Sequence, residues 1–401
     1  MNKYICAFRG RRDNYQIPLA LAKSGQLEQF ITDFYTNTFL QQITPIFRRR
    51  WQDKCKFRLE PQIPPEKVKS LWKTTLLEYS RHCLGFSQSS TFAWLDQHFS
   101  HAVILQAKKT KSNLLLYTPY AWEAFLTNYH HDPHKILFAY HPHIEFESSL
   151  LAKDFKRFPF IEKSYKEQTG YNLPKKFQKR IRDCWQYADQ ILCASSFTKQ
   201  TLLSAGVEPN LCHVIPYGVE PPLPPFQQPN SDHFQALFVG SGIQRKGLHH
   251  LLYAWSRSQL PKGSQLILVC RNLDPGIEFL IRKTSNVRLI RGTDTQTLRN
   301  LYETSHLFIM PSLVEGFGQV FLESLSYGCP VLGTANTCLP DLGQEKDGIF
   351  LTEVGNIDKL IYQIEFLAEK LPSNHKIRDD ARSCAKQFPW QNFRHKLLNF
   401  L

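Results

Sequence analysis

The stretch Glu220-Pro-Pro-Leu-Pro-Pro-Phe-Gln-Gln-Pro229 limits the folds open to this chain more than any other feature. Five prolines in ten residues, at 221, 222, 224, 225 and 229, exclude a helix and a central strand, because proline has no amide hydrogen and its ring crowds the preceding turn. Such a segment is a stiff, extended connector. The charge changes at the same place. Residues 1–200 hold 30 Lys and Arg against 17 Asp and Glu, whereas residues 201–401 hold 19 against 18, so nearly all of the net +14 belongs to the first half. Two independent signals therefore put a domain border near residue 225. The 401 residues suffice for a sizeable core on each side of it.

On both sides short apolar runs alternate with segments of helical period, which predicts α/β domains built on parallel sheets. The expected strands are 4–8, 102–106, 114–117, 136–140 and 190–194 in the first half, then 236–239, 265–269, 287–291, 306–310 and 330–333 in the second. Helical patterns fill 247–255, 295–304 and 357–371. Residues 36–95 read as an insertion that mixes cations with aromatics, in Arg48-Arg49-Arg50-Trp51 and Leu71-Trp72-Lys73. A second basic stretch, from Lys175 to Arg182, follows Pro174 and predicts a helix with Phe177, Ile181 and Trp185 on one face.

No run reaches the roughly 18 apolar residues of a membrane-spanning helix. The apolar start turns polar at Arg9, too early for a secretory signal. Ten cysteines without a Cys-x-x-Cys pair predict reduced, buried thiols in a cytoplasmic protein, not a disulfide framework or a structural zinc site. The basic first half admits nucleic acid, an anionic membrane face or a phosphorylated substrate as partner. Zinc-finger and RNA-recognition signatures are lacking, so no nucleic-acid partner is expected.

The most informative segment runs from His306 to Gly333 as strand, loop, helix, turn and strand. Pro311 ends the strand, and Gly316 and Gly318 let backbone come close to a ligand. A helix beginning near Gln319 aims unpaired amides and a positive dipole end at that loop, and Gly328 with Pro330 ends it. A loop at the carboxyl end of a parallel strand, feeding a helix, is where doubly wound domains bind phosphates. Glu315 and Glu323 bracket it, spaced to contact two ends of one ligand through paired hydroxyls. Capping acids on a surface helix would look the same.

Glu315-Gly-Phe-Gly-x4-Glu323, with Pro311-Ser312 ahead and Gly328-x-Pro330-Val331 behind, resembles the donor-site signature of glycosyltransferase family 4. Phe238-Val-Gly-Ser-Gly-Ile-Gln-Arg245-Lys246-Gly247 is similar to that family's diphosphate-binding turn. Val214-Ile-Pro216-Tyr-Gly218-Val219 and Ala188-Asp189-Gln-Ile-Leu-Cys-Ala-Ser195 resemble the segments that close its first domain. The likeness is dense from about 187 to 350 and thin before 130. It implies a GT-B fold: an acceptor-side Rossmann-like domain over 1–222, a donor domain over 223–385, and a helix over 386–401, starting near Trp390, that returns to the first domain.

It also implies a retaining, metal-independent hexosyltransferase that uses a nucleoside diphosphate sugar as co-substrate and no further cofactor. Lys246 and Arg245 would hold the diphosphate, and Glu323 the ribose hydroxyls. Glu315 and the backbone of Gly316, Phe317 and Gly318 would face the transferred sugar. Five of fifteen histidines lie between His130 and His143. His141, at the end of an expected strand, matches the family's cleft histidine, with His143 as fallback, so His141, Lys246 and Glu315 form the expected catalytic set and no metal site is expected. Ser241 replaces the family's arginine after the glycine of the turn, and Arg9-Gly10-Arg11-Arg12-Asp13-Asn14 replaces its glycine pair after the first strand. The basic half then suits a lipid-linked or envelope acceptor, met peripherally at the inner face of an anionic membrane. The rival readings are a nucleotide-sugar epimerase of the same fold and a basic binding module on a transferase scaffold.

Overall fold

The structure, a computed structural model, describes residues 2–36, 58–168, 175–229 and 233–401. The first part alternates β1 (Tyr4–Ala7), α1 (Gln16–Lys23), β2 (Leu27–Thr32), β3 (Val68–Ser70), α2 (Trp72–Cys83), α3 (Gln88–Thr110), β4 (Asn113–Tyr117), α4 (Thr118–Leu126) and β5 (Lys135–Ala139). It continues through α5 (Ile144–Arg157), α6 (Glu162–Gln168), α7 (Lys175–Asp183), β6 (Gln190–Cys193), α8 (Ser196–Ser204) and β7 (Cys212–Val214). Its strands form one parallel sheet in the order β3-β2-β1-β4-β5-β6-β7.

The second part holds β8 (Gln235–Val239), α9 (Leu248–Arg257), β9 (Gln265–Val269), α10 (Pro275–Lys283), β10 (Val287–Ile290), α11 (Thr295–Thr304) and β11 (Leu307–Ile309). After them come α12 (Gln319–Ser326), β12 (Val331–Thr334), α13 (Leu339–Leu342), β13 (Ile349–Thr352), α14 (Ile357–Lys370), α15 (Lys376–Ala385) and α16 (Trp390–Phe400). This sheet is also parallel, in the order β10-β9-β8-β11-β12-β13.

Helices on both faces explain the near-continuous apolar strands. Leu114, Leu115 and Leu116 of β4, and Ala236, Leu237 and Phe238 of β8, are wholly buried. In each sheet the strand order reverses once, between β1 and β4 and between β8 and β11. Ligands of doubly wound sheets bind at the carboxyl ends of such strand pairs.

Two expectations need correction. Residues 102–106 lie inside α3 and not in a strand. Leu95, Phe99, Ala102, Val103 and Ala107 are buried there while Leu105 is 68% exposed, a helical period that a short apolar run does not reveal by itself. Residues 68–70, assigned to the insertion, form β3 at the edge of the first sheet beside β2. Arg48, Arg49, Arg50 and Trp51 fall outside the described residues. α7 forms as expected, but its Arg180 is buried and pairs with Glu123 of α4 at 2.6 Å, so that cation is structural.

α16 packs against α1, where Arg394 donates to the side chain of Gln16. Val219 bridges to Pro389 just before that helix. Nine cysteines among the described residues are free, and all but Cys83 are buried. Among the described residues no helix is long and apolar enough to cross a membrane.

Candidate functional site

Two segments of the second domain converge at the carboxyl ends of β8 and β11. Residues 240–247 leave β8 and fold down onto the loop after β11, where Leu313 N donates to Arg245 O at 2.8 Å. Gly247 makes this possible: its φ is +68°, and a Cβ on it would collide with the Pro311 carbonyl oxygen. The turn delivers two cations to one carboxylate. Arg245 Nη1 lies 3.0 Å from Glu315 Oε2, and Lys246 Nζ donates to the same oxygen.

These side chains are only 9–18% exposed, so their charges act in a poorly screened setting. Burial by itself would raise the Glu315 carboxyl, but Arg245 and Lys246 hold it far below the usual carboxylate range. Burial depresses the Lys246 ammonium, and Glu315 offsets only part of that.

The first domain closes the site from the opposite side. Tyr140 and His141 follow β5, and a Cβ on Gly316 would collide with the Tyr140 carbonyl oxygen and come within 3.1 Å of His141 Cα. The Gly316 carbonyl accepts hydrogen bonds from Ser195 Oγ (2.6 Å) and Thr198 Oγ1 (3.1 Å). Nearby, Asp341 Oδ2 accepts from Ser196 N at 2.7 Å. Burial, with the Arg245 charge, pushes His141 down to about 3, so its imidazole is neutral. Glu147, in the first turn of α5, is pushed up to about 7 by burial. Together with His141 and Arg245 it lines a cavity of about 240 Å³ whose other walls include Ile144, Ile181, Trp185 and Leu202.

The loop after β11 has its carbonyls committed and its amides available. Phe317 O accepts from Cys338 N and Gly318 O from Phe321 N, while the amides of Gly316, Phe317 and Gly318 donate no backbone hydrogen bond among the described residues. Gly318, at φ +85°, directly precedes α12. The Phe317 ring packs 5.1 Å from that of Tyr217. Glu323 sits in the second turn of α12, where burial raises its carboxyl and the Tyr302 hydroxyl counters in part.

Of the expected residues, then, His141, Arg245, Lys246, Glu315 and Gly316 gather in one place. Glu323 lies beside Tyr302, one helical stretch beyond the ion pairs. His143 is buried and structural, its amide donating to Thr201 Oγ1 at 2.9 Å and its Nε2 lying 3.1 Å from the Arg182 carbonyl. His130, His131 and His134 occupy loop positions.

A buried network behind the cations escaped the sequence. Asp154 of α5 accepts hydrogen bonds from Gln244 Nε2 (2.9 Å), His249 Nε2 (3.0 Å) and His250 Nε2 (2.6 Å). Burial opposes its charge, but the two imidazoles hold Asp154 well below the ordinary carboxylate range, while burial lowers His249 to about 4. The three groups are close enough to suit a metal ion. With the Gln244 amide and a ring nitrogen of each histidine already on it, the carboxylate is satisfied within the protein. The network spans the domains and fixes Gln244, the residue before Arg245.

Residues 222–383 match the family model described as glycosyl transferases group 1. An MMP alpha-(1->4)-mannosyltransferase from Mycolicibacterium hassiacum is 25% identical over 225 residues, which are 54% of this chain and 53% of that protein. The matched stretch thus spans about half the length of that relative. Solved structures align over the whole chain. Sucrose-phosphate synthase from Thermosynechococcus elongatus has a TM-score of 0.69 at 15% identity, covering 100% of this chain and 98% of that one. Anabaena HepE in complex with UDP-glucose has a TM-score of 0.60 at 13% identity, covering 100% and 99%. The chain therefore carries the GT-B fold of two doubly wound α/β domains, and its second domain matches glycosyl transferases group 1.

Proposed function

We propose that this protein is a glycosyltransferase that moves a hexose from a nucleoside diphosphate sugar to an acceptor hydroxyl, with retention at the anomeric carbon. The carrying observation is the pairing of Arg245 and Lys246 with the single carboxylate of Glu315, at the point where strand order reverses. Two cations facing one carboxylate leave a positive surplus, which a diphosphate fills. The entering phosphates take Arg245 and Lys246, and Glu315 is released to receive sugar hydroxyls beside the free amides of Gly316, Phe317 and Gly318.

In the reaction the bond from the anomeric carbon to the phosphate oxygen breaks, and its electron pair leaves with the diphosphate. The acceptor oxygen then bonds to that carbon on the same face, and the hydroxyl proton passes to the departing phosphate. Arg245 and Lys246 supply the charge that the leaving group needs, so no metal is assigned a role. Neutral His141 hydrogen-bonds the sugar, and Glu323 takes the ribose.

On the acceptor side the apolar cavity beside Glu147 suits a lipid-linked acceptor, reached at the inner face of an anionic membrane from the cytoplasm. Helix α2 supports this, because it is turned inside out. Trp72 (51% exposed), Leu76 (62%) and Tyr79 (73%) face solvent at helical spacing, while Thr74 is buried and Glu78 pairs inward with Arg9. Lys69 and Lys73 stand next to this stripe in sequence, and an apolar face accompanied by cations has the chemistry that an anionic bilayer meets.

A thermal-shift panel of UDP, GDP, ADP and TDP sugars tests the donor assignment. The correct donor at about 100 times its dissociation constant should stabilise the protein by about 2.7 kcal/mol. Silence across the panel would remove the assignment.

A further inference from the structure

Residues 9–15 leave β1 at the reversal point of the first sheet, the counterpart in that domain of the turn carrying Arg245 and Lys246. Three consecutive non-glycine residues there, Asp13, Asn14 and Tyr15, have φ of 48°, 49° and 60°. Side chains rarely adopt this region singly, and a run of three persists only where its surroundings impose it. The surroundings do so here. The Tyr117 hydroxyl donates to Asp13 Oδ2, Gly10 N donates to Asp33 Oδ1 at 3.0 Å, and Arg9 N donates to the Tyr120 hydroxyl at 3.2 Å.

What this enforced turn presents is Arg12. Its guanidinium lies 4.2 Å from the centre of the Tyr140 ring and 5.8 Å from that of Tyr117. The Tyr140 ring is in turn 4.3 Å from that of His141, and Gly316 abuts the Tyr140 carbonyl. Arg9, Arg58 and Arg180 of the same domain each pair with a carboxylate. Arg12 forms no ion pair among the described residues, and its Nε is buried without a hydrogen-bond partner. The nearest acid in sequence, Asp13, is engaged by Tyr117. One of the Arg12 donors hydrogen-bonds the Tyr140 hydroxyl; a guanidinium stacked on an aromatic face turns its other donors outward from the edge, the geometry that grips phosphate oxygens in pairs.

We infer that Arg12 is the phosphate-binding group of the first domain, closing on the ligand opposite Arg245 and Lys246. This rests on the cleft being a nucleotide-sugar site. The phosphate is either that of the donor itself, in which case Arg12 stands in for the cation absent at Ser241, or one carried by the acceptor.

Calorimetric titration of Arg12→Gln and Arg12→Lys with UDP, GDP, ADP and TDP, and of the nucleotide-saturated protein with inorganic phosphate, tests this, with Lys246→Ala as control. A nucleotide affinity about tenfold or more weaker in Arg12→Gln, partly regained in Arg12→Lys, assigns Arg12 to the donor diphosphate. Unchanged nucleotide affinity with lost phosphate binding assigns it to an acceptor phosphate. If Lys246→Ala loses the nucleotide while both Arg12 variants bind nucleotide and phosphate as wild type does, the role of Arg12 is overturned alone. If Lys246→Ala binds nucleotide normally, the reading of the whole cleft falls.

Discussion

At the scale of single residues, the cleft combines ionisable groups whose environments oppose one another. Glu147 is half-buried, and desolvation raises it to about 7 from an ordinary value near 4.5. Between those two pH values it holds its proton in the native state and loses it in the unfolded state, so its contribution to stability falls as pH rises through that window. Glu147→Gln should therefore melt higher than wild type at pH 8, with the difference vanishing by pH 4.5. An equal melting temperature at pH 8 would contradict the upward shift of that carboxyl. His141 behaves in the opposite sense. Depressed to about 3, it resists protonation that the unfolded chain accepts near 6.5, so it costs stability as pH falls below that value.

At the scale of elements, what the sequence revealed depended on how local the cause was. α12 was legible because Gly318 and Gly328 stand at positive φ on either side of it, and only glycine adopts that backbone cheaply. Lys246 and Glu315 were legible through the glycines that bring their turns together. The role of Arg12 was not, because its meaning depends on Tyr140 and Tyr117, more than a hundred residues away. β3 and β7, of three residues each, are too short to carry an alternating pattern. The Asp154 network joins α5 to α9 across the two domains, and no spacing along the chain announces it.

That network also ties α5 to α9 through one buried carboxylate. Asp154→Ala removes a buried acceptor shared by three donors and should cost roughly 3 kcal/mol or more in chemical denaturation. A loss below about 1 kcal/mol would mean that α5 and α9 are held by packing alone. For α2, the triple change of Trp72, Leu76 and Tyr79 to serine should abolish sedimentation with anionic vesicles at low salt while leaving the melting temperature unchanged, since these side chains face solvent. Vesicle binding that survives the triple change would move the membrane contact elsewhere.

At the scale of the whole molecule, the two domains meet through backbone as well as side chains. Gly316 abuts Tyr140, the Gly316 carbonyl takes two hydroxyls from the start of α8, and α16 returns to α1. The closed arrangement brings a basic first domain against a nearly neutral second one. Most of the net charge of +14 thus lies in the first domain, away from the turn where Arg245 and Lys246, both partly buried, face the Glu315 carboxylate. The central claim is that Arg245 and Lys246, balanced by Glu315, form a nucleoside diphosphate site. Isothermal titration of UDP, GDP, ADP and TDP into wild type and Lys246→Ala tests it most directly. One of the four should bind wild type and lose at least about tenfold in affinity to Lys246→Ala at unchanged folded structure. Equal affinity in the two proteins would contradict it.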